Sequence, residues 1–380
     1  MNNNKSLCFD RAKRVVVKVG SGVLTKQSGL NTDAICSISG QISYLIDRGV
    51  EVVLISSGAM ASGIKKVGLL KRPDEIPKRQ AAAAVGQAGL ILEYEKAFAL
   101  YNKKVAQILL TSDDLCNRKR YLNARNTLYT LLSWQVVPII NENDTVAVEE
   151  IKFGDNDNLS AMITILMEAD ILINLTDIDG LYTKDPRINP AAKLIPVVHT
   201  INKNIEKLAG DIPGALGTGG MFTKIKAAKK VTTAGIPMII AKGEKPDILT
   251  KLFSGKEEGT FFVPKKEKLA GRKCWIAFTL KPKGVIKIDD GAALAILERG
   301  KSLLPSGIIS VEGDFNVGAA VEFKKDDKKI LGTGLVNYSS AEIRKIMGLK
   351  TGEIEKRLGH KPYNEIIHRN NLAITSECTI

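Results

Sequence analysis

The sequence predicts an α/β protein built on a mainly parallel sheet, followed by a smaller β-rich unit. Three observations predict it. Short β-branched runs, such as Val15-Val16-Val17 and Val52-Val53-Leu54-Ile55, alternate with stretches of helical period. Several of these runs end in small or polar residues, as parallel strands do where their carboxyl ends meet a ligand crevice. From about residue 284 onward short strand-like pieces separated by turn residues take over.

Arg14-Val15-Val16-Val17-Lys18-Val19 reads as a central strand running into Gly20-Ser21. Lys18 interrupts its apolar run. A lysine in a buried strand must be paired or bound to an anion, and its alternative is an outward charge on an edge strand. Gly20 and Gly22 would let a phosphate approach the backbone. Ile35, Ile38, Ile42, Leu45 and Ile46 lie on one helical face, with Asn31 or Thr32 as N-cap and Gly49 as C-cap. Glu51 to Ile55 then closes a βαβ unit, whose crossover is right-handed. It ends in Ser56-Ser57-Gly58-Ala59, a second small-residue loop at the same edge.

Ala81 to Leu92 reads as a buried Ala-rich helix, Val105 to Leu110 as a strand and Tyr121 to Leu132 as a helix. Strands are also expected at Val136 to Ile140, Ile171 to Leu175 and Gly235 to Ala241. The stretch between the first two of these is the most informative. Asn141, Glu142, Asn143, Asp144, Asp155, Asn156, Asp157 and Asn158 crowd one window between a strand and a helix read from Met162. One or two such residues would be helix caps or Asx turns. Two clusters in succession point to a binding site. Gly214-Ala-Leu-Gly-Thr-Gly-Gly-Met-Phe-Thr-Lys224 precedes a helix read from Ile225 to Ala234. Glycine amides, a helix N-terminus and Lys224 suit an anion, although the Walker A spacing is absent.

The chain's 380 residues suffice for two or three domains. Apolar residues at 44% and charged residues at 25% are those of a globular protein. No apolar run reaches the length of a membrane span, and Met1-Asn-Asn-Asn-Lys-Ser6 has no apolar signal core, so a cytoplasmic location is expected. Five scattered cysteines without a CxxC spacing argue against a disulfide frame or a structural zinc. Three histidines without ligand spacing make a zinc hydrolase a poor reading. From Gly284 onward 14 Lys and Arg face 13 Asp and Glu, which leaves 41 basic and 28 acidic residues of the chain's 55 and 41 in the first 283. The basic excess therefore lies in the larger part and indicates an anionic ligand there. Lys265 to Lys283 holds seven basic residues and one acidic, without a clear period, and reads as a linker.

Six ordered motifs carry a resemblance. Val16-Val17-Lys18-Val19-Gly20-Ser21, Ser56-Ser57-Gly58-Ala59, Ile140-Asn141-Glu142-Asn143-Asp144, Gly154 to Ala161, Leu175-Thr176-Asp177 and Gly217-Thr218-Gly219-Gly220-Met221-Phe222-Thr223-Lys224 together resemble the glutamate 5-kinases of the amino acid kinase superfamily. Gly291 to Ile308 resembles the PUA domain appended to many of them. The resemblance implies a three-layer αβα sandwich over residues 1–262, a basic linker over 263–283, a β-barrel-like PUA domain over 284–365 and a tail over 366–380. It implies transfer of phosphate from ATP, with Mg2+, to L-glutamate, the first step of proline synthesis. It also implies a homo-oligomer, dimer or tetramer, inhibited by proline and working beside glutamyl-phosphate reductase.

By the family pattern Lys18 and Lys224 flank the transferring phosphoryl group and Asp157, with Asp155, orients them. Lys18, Thr176, Asp177, Thr218, Gly219, Gly220, Met221, Phe222, Thr223 and Lys224 would hold ATP. Ser57, Asp144, Asn156 and Asp155 would hold glutamate. The metal ligands are not identified by the pattern. The chemistry agrees, because a carboxylate acceptor is already nucleophilic at neutral pH and needs no general base. What it needs is charge neutralisation between two anions. Sister kinases acting on aspartate, acetylglutamate or UMP remain alternatives. So does an RNA-binding protein working through the PUA domain, although that region's surplus of one positive charge disfavours it.

Overall fold

Arg14–Val19 (β1) lies at the centre of an eight-stranded sheet. The computed structural model describes residues 3–26, 29–147, 155–210, 220–265, 271–325 and 330–375. The other strands are Glu51–Ile55 (β2), Lys104–Leu110 (β3), Val136–Glu142 (β4), Ile171–Thr176 (β5), Val197–Val198 (β6), Met238–Lys242 (β7) and Thr260–Phe262 (β8). Their order is β3-β4-β2-β1-β5-β7-β8-β6. Every neighbouring pair is parallel except β7 and β8. β1 is flanked on both sides, by β2 and β5, so Lys18 is not an edge-strand charge.

Alternation along β1 assigns its two faces. Val15, Val17 and Val19 join Ile35, Ile38, Ile42 and Leu45 of the helix Thr32–Asp47 (α1) in one core cluster. Asn31 caps that helix by accepting from the Ala34 amide, and Gly49 follows it at φ +83°. Val16 and Lys18 point the other way, toward the layer that contains Asp155–Leu166 (α5). That layer also contains Met221–Thr233 (α6), which packs on α5, while Arg118–Ser133 (α4) packs on β4.

Two helices fix the Ser57 loop. Ala59–Val67 (α2) crosses Ile76–Ala99 (α3) at glycines on both partners. A Cβ on Gly63 would stand 1.6 Å from the Ala82 carbonyl oxygen, and one on Gly86 would stand 1.7 Å from that of Ala59. The two backbones touch with nothing between them. A methyl there forces the helices apart. We expect Gly86→Ala to lose about 3 kcal/mol of stability, at the upper end of overpacking effects. Urea unfolding checks this, and an unchanged midpoint would contradict it. The α3 reading over Ala81 to Leu92 was too short, because Pro77 begins the helix rather than ending it.

Three other boundaries differ from the sequence reading. α5 begins at Asp155, so Asn156, Asp157 and Asn158 stand in its first turn rather than in a loop before it. α6 begins at Met221, so Lys224 is a buried helix residue and not a mobile loop charge. The proposed linker contains a helix, Gly271–Phe278 (α7), which buries Cys274, Trp275 and Ile276. Its basic neighbours masked an apolar face only two turns long.

The chain divides into units Met1–Lys268 and Leu269–Ile380. The second has a five-stranded sheet of Val285–Ile288 (β9), Ile308–Glu312 (β10), Ala320–Lys324 (β11), Ile330–Leu335 (β12) and Leu372–Ile374 (β13). Its order is β10-β9-β11-β12-β13, with only β9 and β11 parallel. Ile286, Ile288, Val321, Phe323, Ile343 and Ile366 form its core. The expected tail over 366–380 therefore supplies a strand and core side chains up to Ile374.

Candidate active site

Lys18 and Asn174 are register partners on β1 and β5 and project from the face that α5 covers. Above them the first turn of α5 lowers Asp157 into the sheet. Lys18 Nζ lies 2.6 Å from Asp157 Oδ1. Lys224 Nζ, from the first turn of α6, lies 3.2 Å from Asp157 Oδ2. Asn174 Nδ2 donates to Oδ1 at 3.0 Å. Thr223 Oγ1 stands 2.6 Å from Oδ2 and 2.8 Å from the Gly220 carbonyl, and its single proton serves one of them at a time. Asp157 is 1% exposed, Lys18 4% and Lys224 6%.

Two ammonium groups thus share one buried carboxylate, and these three groups sum to one positive charge. Burial alone would raise the Asp157 carboxyl. The two lysines, Lys18 foremost, and the hydrogen bonds from Lys18 and Thr223 outweigh it and hold the carboxyl well below the usual range. Burial pushes the Lys18 ammonium below its ordinary value. Asp157 restores it only in part, and the like charge of Lys224 acts with burial. Two ammonium groups on one carboxylate leave the cluster short of negative charge.

Next to Asp157 on the same turn, Asn156 faces the Ser57 loop. Its Nδ2 donates to Ser57 Oγ and to Asn141 Oδ1, each at 3.1 Å. Among the described residues Asn156 Oδ1 is buried without a hydrogen-bond partner. Gly58 at φ +96° turns the chain after Ser57 into α2. Asp144 follows the end of β4, in the turn closed by the Val146 and Ala147 amides on the Asn143 carbonyl.

At the end of β5, Thr176 donates to Asp177 Oδ1 at 2.9 Å. Gly22 faces that carboxylate, and a Cβ there would come within 3.2 Å of Asp177 Cβ. The Gly20 amide donates to the Leu175 carbonyl, so this N–H is not offered to an anion. Gly220, extended at φ −79°, precedes α6 without a side-chain cap, and Met221 is buried in its first turn. First-turn amides of a helix entered in this way suit a phosphate.

The fold therefore brings Lys18, Asp157, Thr223 and Lys224 into one cluster and Ser57 and Asn156 into another beside it. Phe222 is not drawn in. It is 42% exposed, with Lys226 Nζ 4.4 Å above its ring. Thr218, Gly219 and the Asp155 side chain lie outside the described residues. Sequence reasoning missed Asn174 as a site residue, and placed Asn141 in the polar window without giving it a role. An amide in the otherwise apolar run Ile171 to Leu175 was the available signal for Asn174. Among the described residues no group of three His, Cys, Asp or Glu side chains could hold a metal ion. Asp157 already accepts from Lys18, Lys224 and Asn174 and shares the Thr223 proton with the Gly220 carbonyl.

The sequence pattern of the amino acid kinase family matches residues 13–242, and that of the PUA domain matches residues 284–358. The glutamate 5-kinase of Syntrophus aciditrophicus (strain SB) is 53% identical over 374 residues, covering 98% of this chain and 97% of that protein. The glutamate 5-kinase of Geobacter sulfurreducens is 52% identical over 371 residues, covering 97% of this chain and 100% of that protein. A solved structure of carbamate kinase from Giardia lamblia bound to AMP-PNP gives a TM-score of 0.49 at 17% identity, over 67% of this chain and 100% of that one. The chain belongs to the amino acid kinase family, among its glutamate 5-kinases.

Proposed function

We propose that this chain transfers the γ-phosphoryl group of ATP to the side-chain carboxylate of L-glutamate, giving L-glutamyl 5-phosphate and ADP, the first step of proline synthesis. One observation carries the reading: two buried ammonium groups, from β1 and α6, on opposite oxygens of a single carboxylate. Phosphoryl transfer between two anions is mainly positioning and neutralisation of charge. A dry cluster short of negative charge supplies the second, and its donors are already in place.

In this reading Lys18 and Lys224 flank the transferred group and Asp157 holds them apart. Thr176, Asp177 and the stretch from Thr218 to Lys224 hold the nucleotide. Ser57, Asp144, Asn156 and Asp155 hold glutamate, with Asn141 supporting Asn156. Mg2+ would arrive on the nucleotide's phosphates, since the described residues do not fit a protein-held ion. The fuller reading is a cytoplasmic homo-oligomer, dimer or tetramer, inhibited by proline and supplying glutamyl-phosphate reductase. No helix among the described residues is long and apolar enough to cross a membrane.

The second reading is RNA binding through the second unit. A groove there of about 800 Å³ presents Lys301, His368 and Arg369, but also Asp289 and Glu365. The mixed charge ranks it below the kinase.

Hydroxylamine traps an acyl phosphate as a hydroxamate and separates the acceptors. We expect hydroxamate from ATP with glutamate, and none with aspartate or acetylglutamate. Product from either of those two, with none from glutamate, would replace this reading with a sister kinase.

A further inference from the structure

Asn174 sits in the middle of β5, between Ile173 and Leu175, and is 0% exposed. Every residue of that strand is buried. A primary amide in such a place is unfavourable unless all its groups are paired. Asn174 is only half paired: Nδ2 donates to Asp157 Oδ1, while Oδ1 is buried without a hydrogen-bond partner among the described residues. A leucine of similar size would remove the orphaned oxygen and suit its apolar neighbours in β5. Packing therefore does not explain an amide here.

Its contact does. A carboxylate offers about four lone-pair directions. On Asp157, Lys18 Nζ and Asn174 Nδ2 take Oδ1, while Lys224 Nζ and Thr223 Oγ1 take Oδ2. We propose that Asn174 is a positioning residue for phosphoryl transfer: by filling one lone pair of Asp157 Oδ1 it confines the Lys18 ammonium to the other. This rests on the kinase reading above. A lysine ammonium is a compact charge on a flexible stem. Without Asn174 it can wander across both lone pairs, and its remaining N–H bonds lose their aim. Misplacement by about 1 Å can lower a rate by as much as 100-fold.

Asn174→Leu and Asn174→Asp in the full chain test this. For Asn174→Leu we expect unchanged thermal stability, a kcat reduced on the order of tenfold, and KM for ATP and glutamate within about twofold of wild type. Asn174→Asp is close in shape. As a neutral acid it can donate to Asp157, as the amide does. As a carboxylate it repels Asp157 and competes for Lys18, on which Lys224 and Asp177 also act. Its kcat should approach wild type at the acid end of the profile and fall as pH rises, a slope wild type lacks.

The 15Nζ signal of Lys18 in lysine-labelled protein reads the same contact without turnover, and Asn174→Leu should move it. If the wild-type chain makes no glutamyl phosphate, the kinase reading falls while this signal still judges the contact. An unmoved signal overturns the proposal. So does wild-type kcat in Asn174→Leu, or a loss of activity that merely follows unfolding.

Discussion

Asp157→Asn is expected to lose about 3–5 kcal/mol of folding stability, because it leaves two buried ammonium groups without their shared counter-charge. The shape is kept, so packing is not the cause. Its amide would also present two protons to lysines that need an acceptor. Activity should fall with it, since neither Lys18 nor Lys224 keeps its anchor. The pH dependence has a definite sign. The folded-state carboxyl of Asp157 lies below its unfolded value of about 3.9. Its stabilisation is therefore complete above that value and is lost as pH falls through the folded one. Urea unfolding from pH 7 down to pH 3 should show the gap between wild type and Asp157→Asn begin to close only at the acid end. Equal stability of the two chains at pH 7 would refute the shared-anchor geometry.

Lys18→Ala and Lys224→Ala carry the second large effect, in the opposite sense for the fold. Each should lower kcat/KM by about 2–4 kcal/mol, roughly 30- to 1000-fold, as the loss of one preorganised donor does. Folding should survive. Removing Lys18 relieves the burial of a charge that is already disfavoured and leaves Asp157 with Lys224, Asn174 and Thr223. The double substitution should cost less than the sum if, as proposed, both groups act on one transferred phosphoryl. Steady-state kinetics, with circular dichroism as the control for folding, decide this. A folded Lys18→Ala enzyme at wild-type rate would remove the lysine from the mechanism.

Much of this site was legible because it sits where strands end. Lys18 stood out by breaking a β-branched run, and β1 proved central. Ser57 and Asn156 were placed by motif, and they meet across 99 residues of sequence. The helix starts were not legible. The apolar period of α5 shows only from about Met162 because Asn156 and Asp157 turn polar groups inward, toward other polar groups. Lys224 was placed just before its helix for the same reason, since a buried lysine breaks the apolar period of the first turn. Periodicity assumes that the inner face is apolar, and a buried polar cluster violates that assumption. α7 was hidden for a different reason: Arg272 and Lys273 dominate two turns whose apolar face is three residues wide.

The crowding of the Asp157 carboxylate by donors has a consequence for the choice of acceptor. An alcohol must give up its proton as it attacks phosphorus, and Asp157, its carboxyl held well below the usual range by two lysines, is a poor base to receive it. In the proposed kinase reaction, a hydroxyl-bearing molecule held beside Asp157 would not be activated by it. Alcohols, and bulk water with them, would then be disfavoured as acceptors by a deficit of basicity rather than by a tighter fit.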